Sequence, residues 1–133
     1  MPTTISKPWG SEVILTEPNL SYTLKIININ AGQNLSLQYH DDKVETLSLI
    51  SGNCQLLWGK TIDDVKTENM VYGFGYTVKP KIVHRLMAIT NTVLVEASNG
   101  ESGTTHRLQD DYSRPDETNE VRSLPNRGYT PKL

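Results

Sequence analysis

Short apolar or alternating runs, broken about every ten residues by Gly, Pro or Asn, leave this chain little choice but a β fold. Val13–Leu15, Tyr22–Ile29, Leu35–His40, Glu45–Ile50, Gln55–Trp58, Asn69–Tyr72, Tyr76–Val78, His84–Ile89 and Thr92–Ala97 each read as a strand. No stretch keeps a helical period through three turns. Many short, evenly spaced strands predict an all-β barrel or sandwich. Thr61–Glu68 is expected to be a turn of helix or a hairpin loop. From Pro115 onward the chain becomes polar. The expected organisation is therefore a barrel over residues 1–114 and a polar tail or arm over 115–133, mobile or packed on a partner subunit.

A length of 133 residues fits one domain. With 36% hydrophobic residues the core is modest, so some apolar surface is expected to be buried in a homodimer. A net charge of -2 and the lack of a basic run argue against nucleic acid as a partner. Cys54 is the only cysteine, so no internal disulfide can form. The N-terminal residues lack the charged start and apolar stretch of a signal peptide, and no apolar run approaches membrane-spanning length. These features lead us to expect a cytoplasmic protein with no membrane contact.

The chemistry-bearing residues sit between two glycines, Gly32 and Gly52. Gln38 and His40 lie two apart, so on a strand they point to the same side and can offer two donors to one ion. Glu45 follows, and His84 comes later in Val83-His84-Arg85-Leu86. Imidazole nitrogens with a carboxylate suit a first-row divalent cation such as zinc. Tyr39, between two inward residues, is expected to pack on the other face.

This frame resembles the first signature of the cupin superfamily, with Gln38 where many cupins have a histidine. Lys7-Pro8-Trp9-Gly10, Tyr22-Thr23-Leu24-Lys25, Leu35-Ser36-Leu37-Gln38 with His40, His84-Arg85-Leu86, and Arg107 with Asp110, Tyr112 and Arg114 occur in that order. Together they are similar to the cupin module of type II phosphomannose isomerases, which in larger enzymes follows a sugar-nucleotide transferase domain. The likeness runs from about Lys7 to Arg114. It implies a cupin-type double-stranded β-helix, a jelly-roll-like barrel. It implies one divalent metal, zinc first, with Mn, Fe, Co or Ni as alternatives, on Gln38, His40, Glu45 and His84. It further implies interconversion of mannose 6-phosphate and fructose 6-phosphate through a cis-enediol, in which a proton leaves C2 and returns at C1.

On that reading Lys25, Glu96 and Arg85 are the catalytic candidates, and Arg85, Lys25 and Arg107 bind the sugar phosphate. Lys25 lies in an otherwise apolar strand, where burial without a partner is costly; its other reading is a side chain that snorkels to the rim. Glu96 follows Val93-Leu94-Val95, and its other reading is a structural ion pair. Arg85 would face away from His84 on an ideal strand unless a strand end or bulge redirects it. Arg114 reads as part of an ion-pair cluster that pins the last segment, and Trp9 as an anchor for the N-terminal segment.

Several positions depart from the family pattern. Asp42 replaces a second histidine, Lys43 an arginine, Thr46-Leu47 a His-Trp pair, and Ala88 an asparagine. Groups around ligands orient them and tune the metal. These changes give weight to a rival reading, a non-catalytic metal-binding cupin that takes a sugar or small acid.

Overall fold

The computed structural model describes residues 2–100 and 102–132. Eleven strands form among them: β1 Thr3–Lys7, β2 Gly10–Ile14, β3 Tyr22–Ile29, β4 Leu37–His40, β5 Glu45–Ser51, β6 Cys54–Gly59, β7 Val65–Asn69, β8 Tyr76–Val78, β9 Val83–Ala88, β10 Thr92–Asn99 and β11 Thr105–Gln109. They build two antiparallel sheets. One has the order β1-β2-β3-β10-β5-β8, the other β11-β4-β9-β6-β7. This is the jelly-roll barrel expected from the sequence. No helix of the described residues is long and apolar enough to cross a membrane.

Alternation sets what each strand turns inward. β3 buries Lys25, Ile27 and Ile29. Its partner β10 buries Thr92, Leu94, Glu96 and Ser98, and β5 buries Glu45, Leu47 and Leu49. The inner face of each strand therefore has an apolar part and a charged part. The apolar part closes on Trp9, Ile27, Leu47, Leu56, Leu86 and Leu94, all at most 3% exposed. Trp9 is the anchor that its Pro-Trp-Gly context indicated. Gly52, with φ of 94°, makes the turn between β5 and β6; a Cβ there would collide with the carbonyl oxygen of Asn91.

Three expectations are corrected. The strand expected at Asn69–Tyr72 forms earlier, as β7, which takes up half of the segment read as a helix turn or loop. β7 is polar and mostly exposed, so it pairs with β6 by backbone bonds rather than by an apolar pattern that sequence could signal. β1 and β11 were not expected; they are short strands, and β11 carries mainly polar side chains.

The third correction concerns the tail, which packs back on its own barrel. Thr105 N donates to Glu117 O at 2.8 Å and Glu117 N returns the bond to Thr105 O at 3.0 Å. A short helix, α1 Asn119–Arg122, begins at Thr118, whose hydroxyl caps Val121 N. A 3-10 turn, Pro125–Gly128, follows, and Asn126 Oδ1 accepts from Ser6 N at 2.8 Å. Neither helical piece buries a residue. The segment is held by polar contacts, which is why hydrophobic patterning did not reveal it.

Candidate metal centre

His40 ends β4, Glu45 opens β5 and His84 lies in β9, opposite Gln38. All three are buried, and ligand atoms from the three lie within 4.8 Å of one another. Glu45 Oε1 is 3.0 Å from His84 Nε2 and 3.8 Å from His40 Nε2. Neither nitrogen has a well-formed hydrogen bond. The opposite nitrogens are engaged: His84 Nδ1 reaches Ile82 O at 2.9 Å, and His40 Nδ1 reaches Thr105 Oγ1 at 2.8 Å. A carbonyl only accepts, so His84 Nδ1 donates, and in the neutral ring Nε2 carries the lone pair. Two buried nitrogens and a carboxylate oxygen that converge in this way fit a divalent ion; His40, Glu45 and His84 could hold one.

Gln38 borders the same cavity. Its Oε1 accepts from Ser36 Oγ at 2.7 Å, which uses one of the amide oxygen's two lone pairs. Tyr39 turns outward and stacks on His106 with centroids 4.6 Å apart, as expected.

A ladder of buried charges leads away from these ligands. Lys43 Nζ lies 3.1 Å from Glu45 Oε2 and 3.0 Å from Glu96 Oε2. Lys25 Nζ lies 4.0 Å from the same Glu96 oxygen and 3.4 Å from Glu12 Oε2. Lys25 and Glu96 are directly opposite in the β3–β10 register. Lys25 is 2% exposed, which rules out the snorkelling reading. Glu12 was not picked out from the sequence, and Lys43 was noted there only as a departure from the family pattern. A signal for Lys43 was available: it lies two residues before Glu45, the spacing that puts side chains on one face.

Burial raises the Glu96 carboxyl to about 7 despite the Lys43 ammonium. Burial would raise Glu45 as well, but Lys43 and the contacts with His40 and His84 hold it well below the usual carboxylate range. Burial lowers His40. Glu117 and Asp110 are held low against their own burial, by Arg127 and Lys7 in one case and by Arg114 in the other.

These shifts give a pH dependence. A carboxyl whose folded pKa is depressed contributes stability above its unfolded value, and that contribution is lost as pH falls through the folded value. Glu45, Glu117 and Asp110 all act in this sense. Glu96 acts oppositely between about 4.3 and 7, where its contribution declines as pH rises, and His40 offsets it in part of that window. We therefore expect metal-free protein to lose stability steeply below about pH 4, under the unfolded carboxylate values. Urea midpoints measured from pH 3 to 8 check this; a midpoint that stays flat below pH 4 would contradict it.

The remaining candidates are distributed around the same cavity. Arg85 borders it, but its Nε donates to Leu35 O at 2.8 Å and its Nη2 reaches Asp111 Oδ1 at 3.2 Å. Those bonds tie β9 to the residues just before β4 and to the segment after β11. Arg114 grips Asp110 with Nε at 2.9 Å and Nη2 at 3.0 Å, a contact within the segment that follows β11. Arg107 lies beside Gln38 in register, and its Nη1 donates to Pro115 O at 2.6 Å. The cavity has about 50 Å³ of free space, room for roughly four waters.

Comparison with known proteins agrees with this architecture. Capsular polysaccharide assembling protein CapF from Staphylococcus aureus superposes with a TM-score of 0.64 at 13% identity, over 89% of this chain and 34% of that one. Oxalate decarboxylase from Bacillus subtilis gives 0.68 at 17% identity, over 80% and 29%. The oxalate decarboxylase of Lactobacillus farciminis, as a formate complex, gives 0.68 at 13% identity, over 80% and 33%. The chain thus spans about a third of these proteins, and at such identities they share its cupin fold alone. A search of curated protein sequences found no match. The family model described as "Mannose-6-phosphate isomerase C-terminal" matches residues 1–104. With most of the chain matched and the cupin barrel in place, the protein belongs to the mannose-6-phosphate isomerase C-terminal family.

Proposed function

We propose that this protein is a metal-dependent sugar-phosphate isomerase that interconverts mannose 6-phosphate and fructose 6-phosphate through a cis-enediol. The observation that carries this reading is the convergence of His40, Glu45 and His84 in one cavity with the buried Lys25–Glu96 pair. A divalent ion, zinc on our reading, held by those three ligands with Gln38 as a fourth donor or neighbour, would stabilise negative charge on the open-chain sugar oxygens.

The protein groups divide the remaining work. Glu96, poised at about 7, suits removal of the C2 proton and its return at C1 near neutral pH. Lys25 faces it and stabilises the carboxylate once the proton has left. Arg107 is the better candidate to hold phosphate, because its Nε makes no hydrogen bond whereas the Arg85 Nε donates to Leu35 O and its Nη2 pairs with Asp111.

The small cavity favours a second reading, a metal-binding protein that takes a small acid. Free space of about 50 Å³ lies far below the roughly 300–1,000 Å³ usual for organic ligands. Metal analysis of the purified protein, with a coupled isomerase assay on mannose 6-phosphate, separates the two. Activity that disappears on chelation and returns with added metal supports the isomerase. If several aldose phosphates turn over no faster than in a metal-stripped control, the second reading stands.

A further inference from the structure

The outer face of the six-stranded sheet carries no charge among the described residues. Sixteen positions alternate with the buried residues of β1, β2, β3, β10, β5 and β8, and none is Asp, Glu, Lys, Arg or His. A chain with 21% charged residues would place about three there by composition alone. A sheet that faces water on one side normally turns polar residues outward. Here Val13, Ile26 and Val95 sit side by side in register across β2, β3 and β10, flanked by Leu24 and Val93. All five stay partly exposed in the single chain. At the margins of the face Leu15 is 42% exposed, Tyr22 57% and Ile50 49%. The other sheet differs, since its edge strand β7 exposes Lys66 and Glu68.

Much of the polar chemistry on this face is already paired within the chain. Asn28 Nδ2 donates to Ser11 Oγ at 3.2 Å, and the hydroxyls of Thr46 and Thr77 meet at 2.9 Å. Asn99 accepts from Val44 N at 3.0 Å and donates to Asp42 O at 3.0 Å. Covering such groups leaves their hydrogen bonds in place, so it costs little.

The edges of the sheet are poor templates for strand addition. β8 has three residues, and on β1 the Ser6 N–H is taken by Asn126 Oδ1. A partner therefore meets the face rather than an edge. A charged surface laid on this face would lose hydration without gaining a counter-charge. A second copy brings the same uncharged face, and a two-fold axis matches it with itself. The area suffices. Six strands about 4.8 Å apart and some 20 Å long present roughly 500 Å² per copy in flat projection, so stacking two buries about 1,000 Å² or more, the size at which specific interfaces begin.

We propose that this protein forms a homodimer in which the outer faces of the two six-stranded sheets stack on each other, with Val13, Ile26 and Val95 of both copies in the middle. Charge-free centres of this kind are what distinguish the core of an interface from the rest of a protein surface.

Sedimentation velocity on the full chain, over a range of concentrations, tests this. The unsubstituted protein should sediment as two chains. Val95→Lys puts a charge from each copy into the enclosed face and should raise the dissociation constant by at least about a hundredfold. Thr67→Lys, on exposed β7 of the other sheet, should leave the dimer intact. Circular dichroism checks that both variants fold. A protein that stays monomeric at the highest concentration it tolerates overturns the proposal and leaves the face to solvent or to a different partner. A dimer that survives Val95→Lys, or one that Thr67→Lys dissociates equally, overturns it too. Should Val95→Lys fail to fold, Ser48→Lys, beside Val95 in the same row, takes its place under the same criterion.

Discussion

His84→Ala is expected to strip the protein of stoichiometric metal and leave the barrel folded. The substitution removes a buried Nε2 whose ring is oriented by Ile82 O, and leaves Glu45 and His40 too few to form a closed site. Losing an outer partner of a metal ligand typically costs about 10–100-fold in affinity; losing the ligand itself should exceed that. Elemental analysis after gel filtration measures the metal, and far-ultraviolet circular dichroism the fold. Metal content that stays near one per chain would refute the assignment of His84 as a ligand. The barrel should survive because the apolar layer built on Trp9, Ile27, Leu56 and Leu94 does not depend on the imidazole.

Glu96→Gln should have the second largest effect, on chemistry rather than on binding. If Glu96 carries the proton between C2 and C1, the amide cannot replace it, and kcat should fall by about 10²–10⁴-fold with a much smaller change in KM. The substitution is nearly isosteric, and it leaves Lys43 its Glu45 partner and Lys25 its Glu12 partner. It should therefore not repeat the cost of about 3–5 kcal/mol that follows when one member of a buried ion pair is left alone. Steady-state kinetics on mannose 6-phosphate, with a urea titration of the same preparation, would separate the two effects. Unchanged kcat would remove Glu96 from proton transfer and turn attention to Lys25.

What could be read from the sequence follows from which physical signals are local. The period-2 alternation of Tyr22–Ile29, Glu45–Ile50 and Thr92–Ala97 belongs to each segment alone, and those strands formed close to where they were expected. The Gln38–His40 spacing is equally local, and it put both residues beside the cavity. The contacts that could not be read are long-range and polar. The Lys43–Glu96 contact joins the loop before β5 to β10, residues that carry no pairing signature. Glu117 lies in a stretch whose polarity suggested a solvated tail, yet a polar residue is buried just as firmly when cations surround it. The Arg85 side chain was followed correctly only as far as its strand; that its guanidinium would be taken by Leu35 and Asp111 depended on how the segment after β11 returns.

The alternating run from Glu45 through Lys43, Glu96 and Lys25 to Glu12 also limits how this sequence can vary. An apolar core tolerates single exchanges of similar volume, each judged on its own. A row of enclosed opposite charges does not, because changing any one member strands its neighbours. These five positions, drawn from distant parts of the chain, are therefore bound to change together or hardly at all. A replacement of Lys25 by an apolar residue becomes tolerable only once Glu12 or Glu96 has lost its charge too. The wall of the cavity evolves as one unit, and new specificity would more readily come from the segment that covers it.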